Sequence, residues 1–478
     1  MTTFGAFVAN LDATIVVVAL PTILRGLHTS IVSMLWTITA YMLVSTVLVL
    51  PVGRLSDVIG RRRLFLGGFV LFALGSALCG AAPTGGALIA FRCVQGVGGA
   101  LIGALGVPLI TEAFPPSQLG MALGLNSLAW VFGAVVGPVA GGVLVSALGW
   151  RSIFYVVVPF ALAAALIGRQ ALPRSQPTGG RAAIDPIGVA SFTVALTALL
   201  LVLSEATAWG WTSPRSLGLL ALAAVAAVWF VIWELRAPDP LFDLRLFRVA
   251  AFAASQGVVT LASIGYFGIT FLLTFYLQGG LRLTPLATGI LLIAMAAPQL
   301  VSAPLGGRLA DRVGTGPPLL AGVLGVTVGI FFLGRLPDHL AIWPLILPLA
   351  LIAVSTGLYW PSLFSFVMKT APRHRLGAAS GMFATFRNIG FSLSLTLALA
   401  FAASSLPGDL AMRIFVGLGG AASPAAAHAL EHAVRVAFHW STGFAAAALV
   451  TAVPVAVLSR RMTASAGPPT PAGEAAGP

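Results

Sequence analysis

The stretch GRLSDVIGRRRLFLGG (Gly53–Gly68) returns 254 residues later as GRLADRVGTGPPLLAG (Gly307–Gly322), keeping its Gly, Arg, Leu, Asp and Gly framework. A second pair lies at almost the same distance. Pro115, LGMALG from Leu119 and Gly133 match Pro372, LGAASG from Leu376 and Gly390, at an offset of 257. Two separate pairs at nearly one offset imply a duplicated chain. Both copies of the first motif stand between long apolar runs, so the duplicated unit is a set of membrane spans. Such a chain is expected to place a midplane site between its two halves.

Composition agrees with that reading. Mean hydropathy is +1.01, only 8% of residues are charged, and runs of spanning length recur throughout, which makes this an all-α polytopic membrane protein. A β-barrel would need short alternating segments instead. Fourteen spans are expected, at 3–24, 33–53, 64–82, 86–110, 121–145, 152–172, 187–205, 217–235, 250–275, 287–307, 317–335, 342–368, 378–402 and 437–458. The repeat then makes helices 1–6 (residues 1–172) equivalent to helices 9–14 (250–460). Two linker helices with flanking loops (173–249) lie between them, and a disordered tail (461–478) follows. With both ends placed in the cytoplasm, inner loops and ends carry 17 Lys and Arg against 7 outside, as the positive-inside rule requires.

The net charge of +13 is spread over short loops rather than gathered with aromatics on one face, so it reports topology and no nucleic acid is expected as a partner. Trp36, Trp150, Trp209, Trp211 and Trp343 fall near outer span ends and read as an aromatic belt. Cys79 and Cys93 sit in apolar runs as small hydrophobes, with no sign of a disulfide, metal or redox role. The first apolar run lacks a basic leader and a small-residue cleavage site, so no cleavable signal peptide is expected.

Of the thirteen acidic residues, Asp12 alone falls deep in a span. Asp57, Asp185, Asp239, Asp243, Asp311, Asp338, Asp409, Glu431 and Glu474 are assigned to loops or tails, and Glu112, Glu205 and Glu234 to span ends. A titratable group in hydrocarbon is a functional candidate by default. Arg92 lies about six residues, roughly 9 Å, inside the outer end of helix 4. At that depth it needs a polar or anionic partner, and Asp12 is the deep carboxylate available. Gln95, Asn126, Arg387 and Asn388 are further candidate pocket groups; Arg387 and Asn388 suit a pocket lining and a structural bond equally. Gly53, Asp57, Gly60, Arg61 and Arg62 read as a tight cytoplasmic turn and charge network, with Glu112 the partner for the arginines and Gly307 and Asp311 the degenerate copy. Gly133, Gly137, Pro138, Gly141 and Gly142 lay a flat strip along helix 5 for close helix approach. His428, Glu431 and His432 have the spacing of a metal pair, but a solvated outer loop is the better reading, so no metal site is expected.

These motifs together resemble the major facilitator superfamily, in its fourteen-helix drug:proton antiporter branch, over nearly the full chain. The loop signature matches Gly53 to Arg62, and the helix 4 signature matches Arg92, Gln95, Gly96 and Gly98. The antiporter signature matches Gly133, Gly137, Pro138, Gly141 and Gly142, and the first-helix signature Leu11, Asp12, Thr14, Ile15, Val16, Val18, Ala19, Leu20 and Pro21. The resemblance implies that Asp12 and Arg92 couple protons and that the glycine strip suppresses leak and favours exchange. It departs at Val17 and Val157, where Asn is common, at Leu119 and Met121, where basic residues are usual, and at position 58, which is Val.

The expected function is therefore proton-coupled export of drugs or other lipophilic amphipathic molecules by alternating access. It would be driven by the proton motive force without a cofactor, in a monomer in the bacterial inner membrane with both termini cytoplasmic. One deep carboxylate suits neutral or singly cationic cargo. A dedicated exporter of one endogenous metabolite, such as an antibiotic or siderophore, is the alternative. An intramembrane enzyme would need His, Asp or Ser constellations in the spans, and the histidines lie in loops or at a span end.

Overall fold

A computed structural model describes residues 1–114, 116–172, 185–238, 240, 242, 244–335, 343–371, 376–404 and 424–465. Six helices form the first half: α1 (Thr2–Leu27), α2 (Ile31–Ile59), α3 (Arg61–Ala81), α4 (Gly85–Ala113), α5 (Pro116–Leu148) and α6 (Ser152–Ala171). α7 (Pro186–Trp209) and α8 (Pro214–Arg236) follow as a hairpin. The second half holds α9 (Ala250–Phe275), α10 (Pro285–Arg312), α11 (Gly316–Leu333), α12 (Trp343–Thr370), α13 (Leu376–Ser404) and α14 (Pro424–Ser465). All fourteen are long and apolar enough to cross a membrane, and each expected span falls on one of them.

Helix starts show why the chain breaks where it does. Without water, unpaired backbone N–H groups are costly, and Ser30, Thr84, Asp185, Ser213 and Thr284 each accept one from the first turn of the helix they precede. Proline in the first turn of α7, α8 and α10 removes a donor that would otherwise be orphaned.

The two halves repeat one packing scheme. α1 lies on α5, α2 on α4, α3 on α4 and α3 on α6; eight helices later, α9 lies on α13, α10 on α12, α11 on α12 and α11 on α14. The halves meet along two flanks, α5 with α10 and α2 with α13, and the α7–α8 hairpin docks through α7 on α13 and α2. α8 turns an apolar side outward, with Leu217, Val225, Val228, Trp229 and Leu235 each more than half exposed, the surface a bilayer covers.

Four expectations are corrected. The Gly53–Arg63 motif is not a turn along its length: α2 runs through it to Ile59, and the reversal rests on Gly60 alone, at φ 99°. Its copy behaves alike, with α10 running to Arg312 and Gly314 at φ 85°. Within the two motif copies, Gly60 and Gly314 are the positions that need the left-handed backbone that glycine permits. Trp150 is not a belt residue; it is 5% exposed and seated over Gly26, with Arg151 stacked on its ring. Glu431 lies in α14, which begins 13 residues before the expected span at 437, and is buried and paired with Arg435 at 2.6 Å. Residues 461–465 of the expected tail continue α14, while 466–478 and most of the first linker loop, 173–184, lie outside the described residues.

Candidate functional site

Asp12, Arg92 and Gln95 are fully buried and in contact. One carboxylate oxygen of Asp12 accepts from Arg92 Nη1 at 2.8 Å, the other from Gln95 Nε2 at 2.8 Å. Arg92 Nη1 also donates to Gln95 Oε1 at 2.5 Å, and Arg92 Nε donates to the Thr37 carbonyl at 2.9 Å. Gln95 Nε2 reaches Ser76 Oγ at 2.9 Å. The guanidinium lies 4.5 Å from the Tyr41 ring centroid, a cation–π contact. Four helices, α1 to α4, thus converge on one ion pair. Only Asp12, Arg92 and Gln95 were legible in the sequence; Thr37, Tyr41 and Ser76 were missed, because a lone hydroxyl or carbonyl carries no pattern.

Glycines let these helices come close enough. A Cβ on Gly75 of α3 would lie 2.6 Å from the Gln95 backbone, and one on Gly96 of α4 would lie 2.9 Å from the Tyr41 carbonyl. Among the described residues Arg92 Nη2 has no hydrogen-bond partner. Val17 and Val157, which replace polar groups usual in the resembled family, are buried in apolar surroundings.

The strip on α5 has two working faces. Gly133, Gly137 and Gly141 lie against α1, where a Cβ would meet the Phe7 carbonyl, Thr14 and Ile15 in turn. Thr14 Oγ1, 3.3 Å from the Gly133 carbonyl, ties the helices together. Gly142 and Pro138 instead face α10 in the other half: a Cβ on Gly142 would lie 2.6 Å from the Pro285 carbonyl, and one on Gly289 would collide with the Pro138 carbonyl. Nearby, Gln278 donates to the Val18 carbonyl of α1 at 3.0 Å. The halves are therefore locked at the end where α1 and α5 finish and α10 begins.

At the opposite end, Arg61 pairs with Glu112 at 2.5 Å, and Arg62 donates to the Arg169 carbonyl. Gly53 has open space around it, and the Asp57 side chain lies outside the described residues. In the second copy Gly307 is equally open, and Asp311 is exposed with no ion-pair partner among the described residues. Arg387 on α13 lies 5.1 Å from the Trp130 ring centroid on α5 and 3.5 Å from Asn388 Oδ1. Asn126, one turn before Trp130, has no partner for Oδ1 among the described residues. Among the described residues no His, Cys, Asp and Glu group could hold a metal. Cys79 and Cys93 are free thiols.

The sequence pattern of the Major Facilitator Superfamily matches residues 2–395. The chain is 32% identical to the tetracenomycin C resistance and export protein of Streptomyces glaucescens, over 85% of this chain and 75% of that one. It is also 32% identical to the multidrug resistance protein Stp of Mycobacterium tuberculosis, over 83% and 74%. Among solved structures, a bacterial homolog of the human lysosomal transporter Spinster, inward-facing and unoccupied, superposes with a TM-score of 0.67 at 16% identity, covering 96% of each chain. The D-xylose-proton symporter gives 0.64 at 16%, covering 95% of each. Sequence and fold agree, and the chain belongs to the Major Facilitator Superfamily.

Proposed function

We propose that this multi-pass membrane protein is a proton-coupled antiporter that exports lipophilic, drug-like molecules across the bacterial inner membrane, as a monomer with cytoplasmic termini. It is a transporter and not an enzyme, and the proton motive force replaces any cofactor. The observation that carries the reading is the buried Asp12–Arg92–Gln95 cluster, because α1, which holds the carboxylate, also packs on the α5 strip. The strip's other face rests on α10 of the opposite half. Protonating Asp12 removes the charge that Arg92 and Gln95 hold, freeing α1 to shift against α5 and, through α5, to open the locked end. One unit of pKa change corresponds to about 1.4 kcal/mol, comparable to what about 60 mV supplies per charge. Small rearrangements of the pair therefore suffice.

The arginine distribution supports the orientation, and relatives named for multidrug resistance and multidrug transport support the cargo. A narrower reading, export of one endogenous compound, draws on the relatives named for tetracenomycin C export and puromycin resistance in Streptomyces. The test is uptake into everted vesicles with an imposed acid-inside gradient, using cationic, neutral and acidic lipophilic dyes. Wild type should move at least one dye only with the gradient, and Asp12→Asn at equal expression should move none. Gradient-driven uptake that survives in Asp12→Asn removes Asp12 from the mechanism. Vesicles indistinguishable from empty ones for every dye favour the narrow exporter.

A further inference from the structure

Trp130 and Arg387 are related by the internal repeat. Their separation is 257 residues, the offset that relates Gly133 to Gly390, and each stands three residues before that glycine. Gly133 and Gly137 pack on α1, and Gly390 and Ser394 pack on α9 in the same way, with Ser394 Oγ 2.7 Å from the Gly268 nitrogen. Spacings of three and four put Trp130 on the inward face of α5 with the strip, and Arg387 on the inward face of α13. Leu125, Leu128 and Phe132 stand on the opposite face of α5, and Trp130 is itself as exposed as Leu128, so it is the helical spacing and the contact with Arg387 that place it inward. α5 and α13 belong to different flanks, one against α10 and the other against α2. The 5.1 Å contact of guanidinium and indole therefore crosses the space between the halves, where the repeat-related positions meet.

The charge balance of that space is lopsided. While Asp12 is ionised, it and Arg92 cancel each other inside the first half. Arg387 has no ion-pair partner among the described residues; its contacts are the Trp130 ring and Asn388. An arginine stays charged in proteins, and one on the inward face of a span, half-buried as Arg387 is, marks a substrate path along which an opposite charge can be supplied.

We infer that the cargo supplies it: the site between the halves takes a flat aromatic molecule bearing an acidic group, with the guanidinium of Arg387 binding the anion and Trp130 stacking on the ring. Asn126 Oδ1, on the same face of α5, accepts a hydrogen bond from the cargo. The inference rests on the export reading above and reverses the cargo charge that one deep carboxylate suggests. It has an electrical consequence. A monoanion leaving for one entering proton moves two charges, a neutral cargo one, and a monocation none. Each net charge is worth about a fifty-fold change in accumulation per 100 mV.

The test uses purified protein in liposomes and three probes on one ring system: 1-pyrenebutyrate, its methyl ester and 4-(1-pyrenyl)butylamine, each measured over protein-free liposomes. A pH gradient and a potassium diffusion potential are imposed separately. The acid should be moved fastest and should respond to the potential more steeply than the ester. Arg387→Gln should lower acid transport at least tenfold relative to ester transport, and Arg387→Lys should recover part of that ratio. Preference for the amine, or an Arg387→Gln defect equal for all three probes, overturns the inference and leaves proton-coupled export standing. If wild type moves no probe with either gradient, the inference falls and the broad export reading gives way to the narrow exporter.

Discussion

Arg92 holds Asp12, Gln95 and the Thr37 carbonyl together from a position with no exposed surface. Truncating one member of such a pair strands the other charge, at a cost of about 3–5 kcal/mol, whereas replacing both by apolar groups can be nearly neutral. Arg92→Met alone should therefore lower the detergent melting temperature sharply, and Asp12→Leu/Arg92→Met should recover most of the loss while remaining unable to couple. Melting curves of the two variants beside wild type decide it, and equal stability of all three would mean that water reaches the pair. Gln95→Leu tests the neutral member. It deprives Asp12 Oδ1 and Ser76 of a donor, so a loss of about 1–3 kcal/mol is expected, with gradient-driven transport reduced but not abolished because Arg92 still holds the other oxygen. The Asp12–Arg92 pairing was legible because two opposite charges deep in apolar spans have few other choices. The Thr37 carbonyl and Ser76 hydroxyl that support it were not, since any hydroxyl or carbonyl in four helices could have served.

Glycines in helices separate positions that read alike in sequence. Gly53 sits inside α2 with nothing within 4 Å of a Cβ, so Gly53→Ala should be tolerated and gain up to about 1 kcal/mol from helix propensity. Had the whole motif been a glycine-dependent turn, the same change would unfold it. Gly137→Ala is the opposite case, because its Cβ collides with Thr14. Overpacking of this kind typically costs about 1–3 kcal/mol, and smaller Gly133 and Gly141 neighbours cannot relieve it, so lower stability and weaker exchange should appear together. Comparing the two alanine variants in one melting series and one transport assay checks both. The strip was legible as a surface of close approach, but which helix fills it was not. Residues four apart drift around the helix by about 40° per step, so Gly133, Gly137 and Gly141 stay on α1, while Gly142, a further 100° round, turns to α10. Only tertiary packing names those partners. The Trp130–Arg387 contact was within reach, since the repeat offset relates the two positions, but neither residue alone announces a cross-half neighbour.

Duplication gives the molecule two halves that pack alike and meet on two equivalent flanks, so its large-scale motion reduces to which end is closed. Here the closed end holds Gly142 against Pro285, Gly289 against Pro138 and the Gln278 bond to the Val18 carbonyl. The first two are backbone contacts with no side chain to remove; the third is a single side-chain bond between halves. Losing one hydrogen bond is worth about 0.5–1.5 kcal/mol, which multiplies the population open at this end by about two to ten. Gln278→Ala should make that shift, and Gly289→Ala a larger one, because its added methyl drives directly into the Pro138 carbonyl. Spin labels at Leu148 and Arg282, in a background without Cys79 and Cys93, straddle the seam where α5 ends and α10 begins. Their long-distance population should rise in the order wild type, Gln278→Ala, Gly289→Ala, and Asp12→Asn should move it in the same direction if the carboxylate governs the seam through α1 and α5. A distance distribution that ignores Asp12→Asn but answers to Gly289→Ala would show a seam that opens without reference to the buried pair, and the coupling proposed through Asp12 would fall.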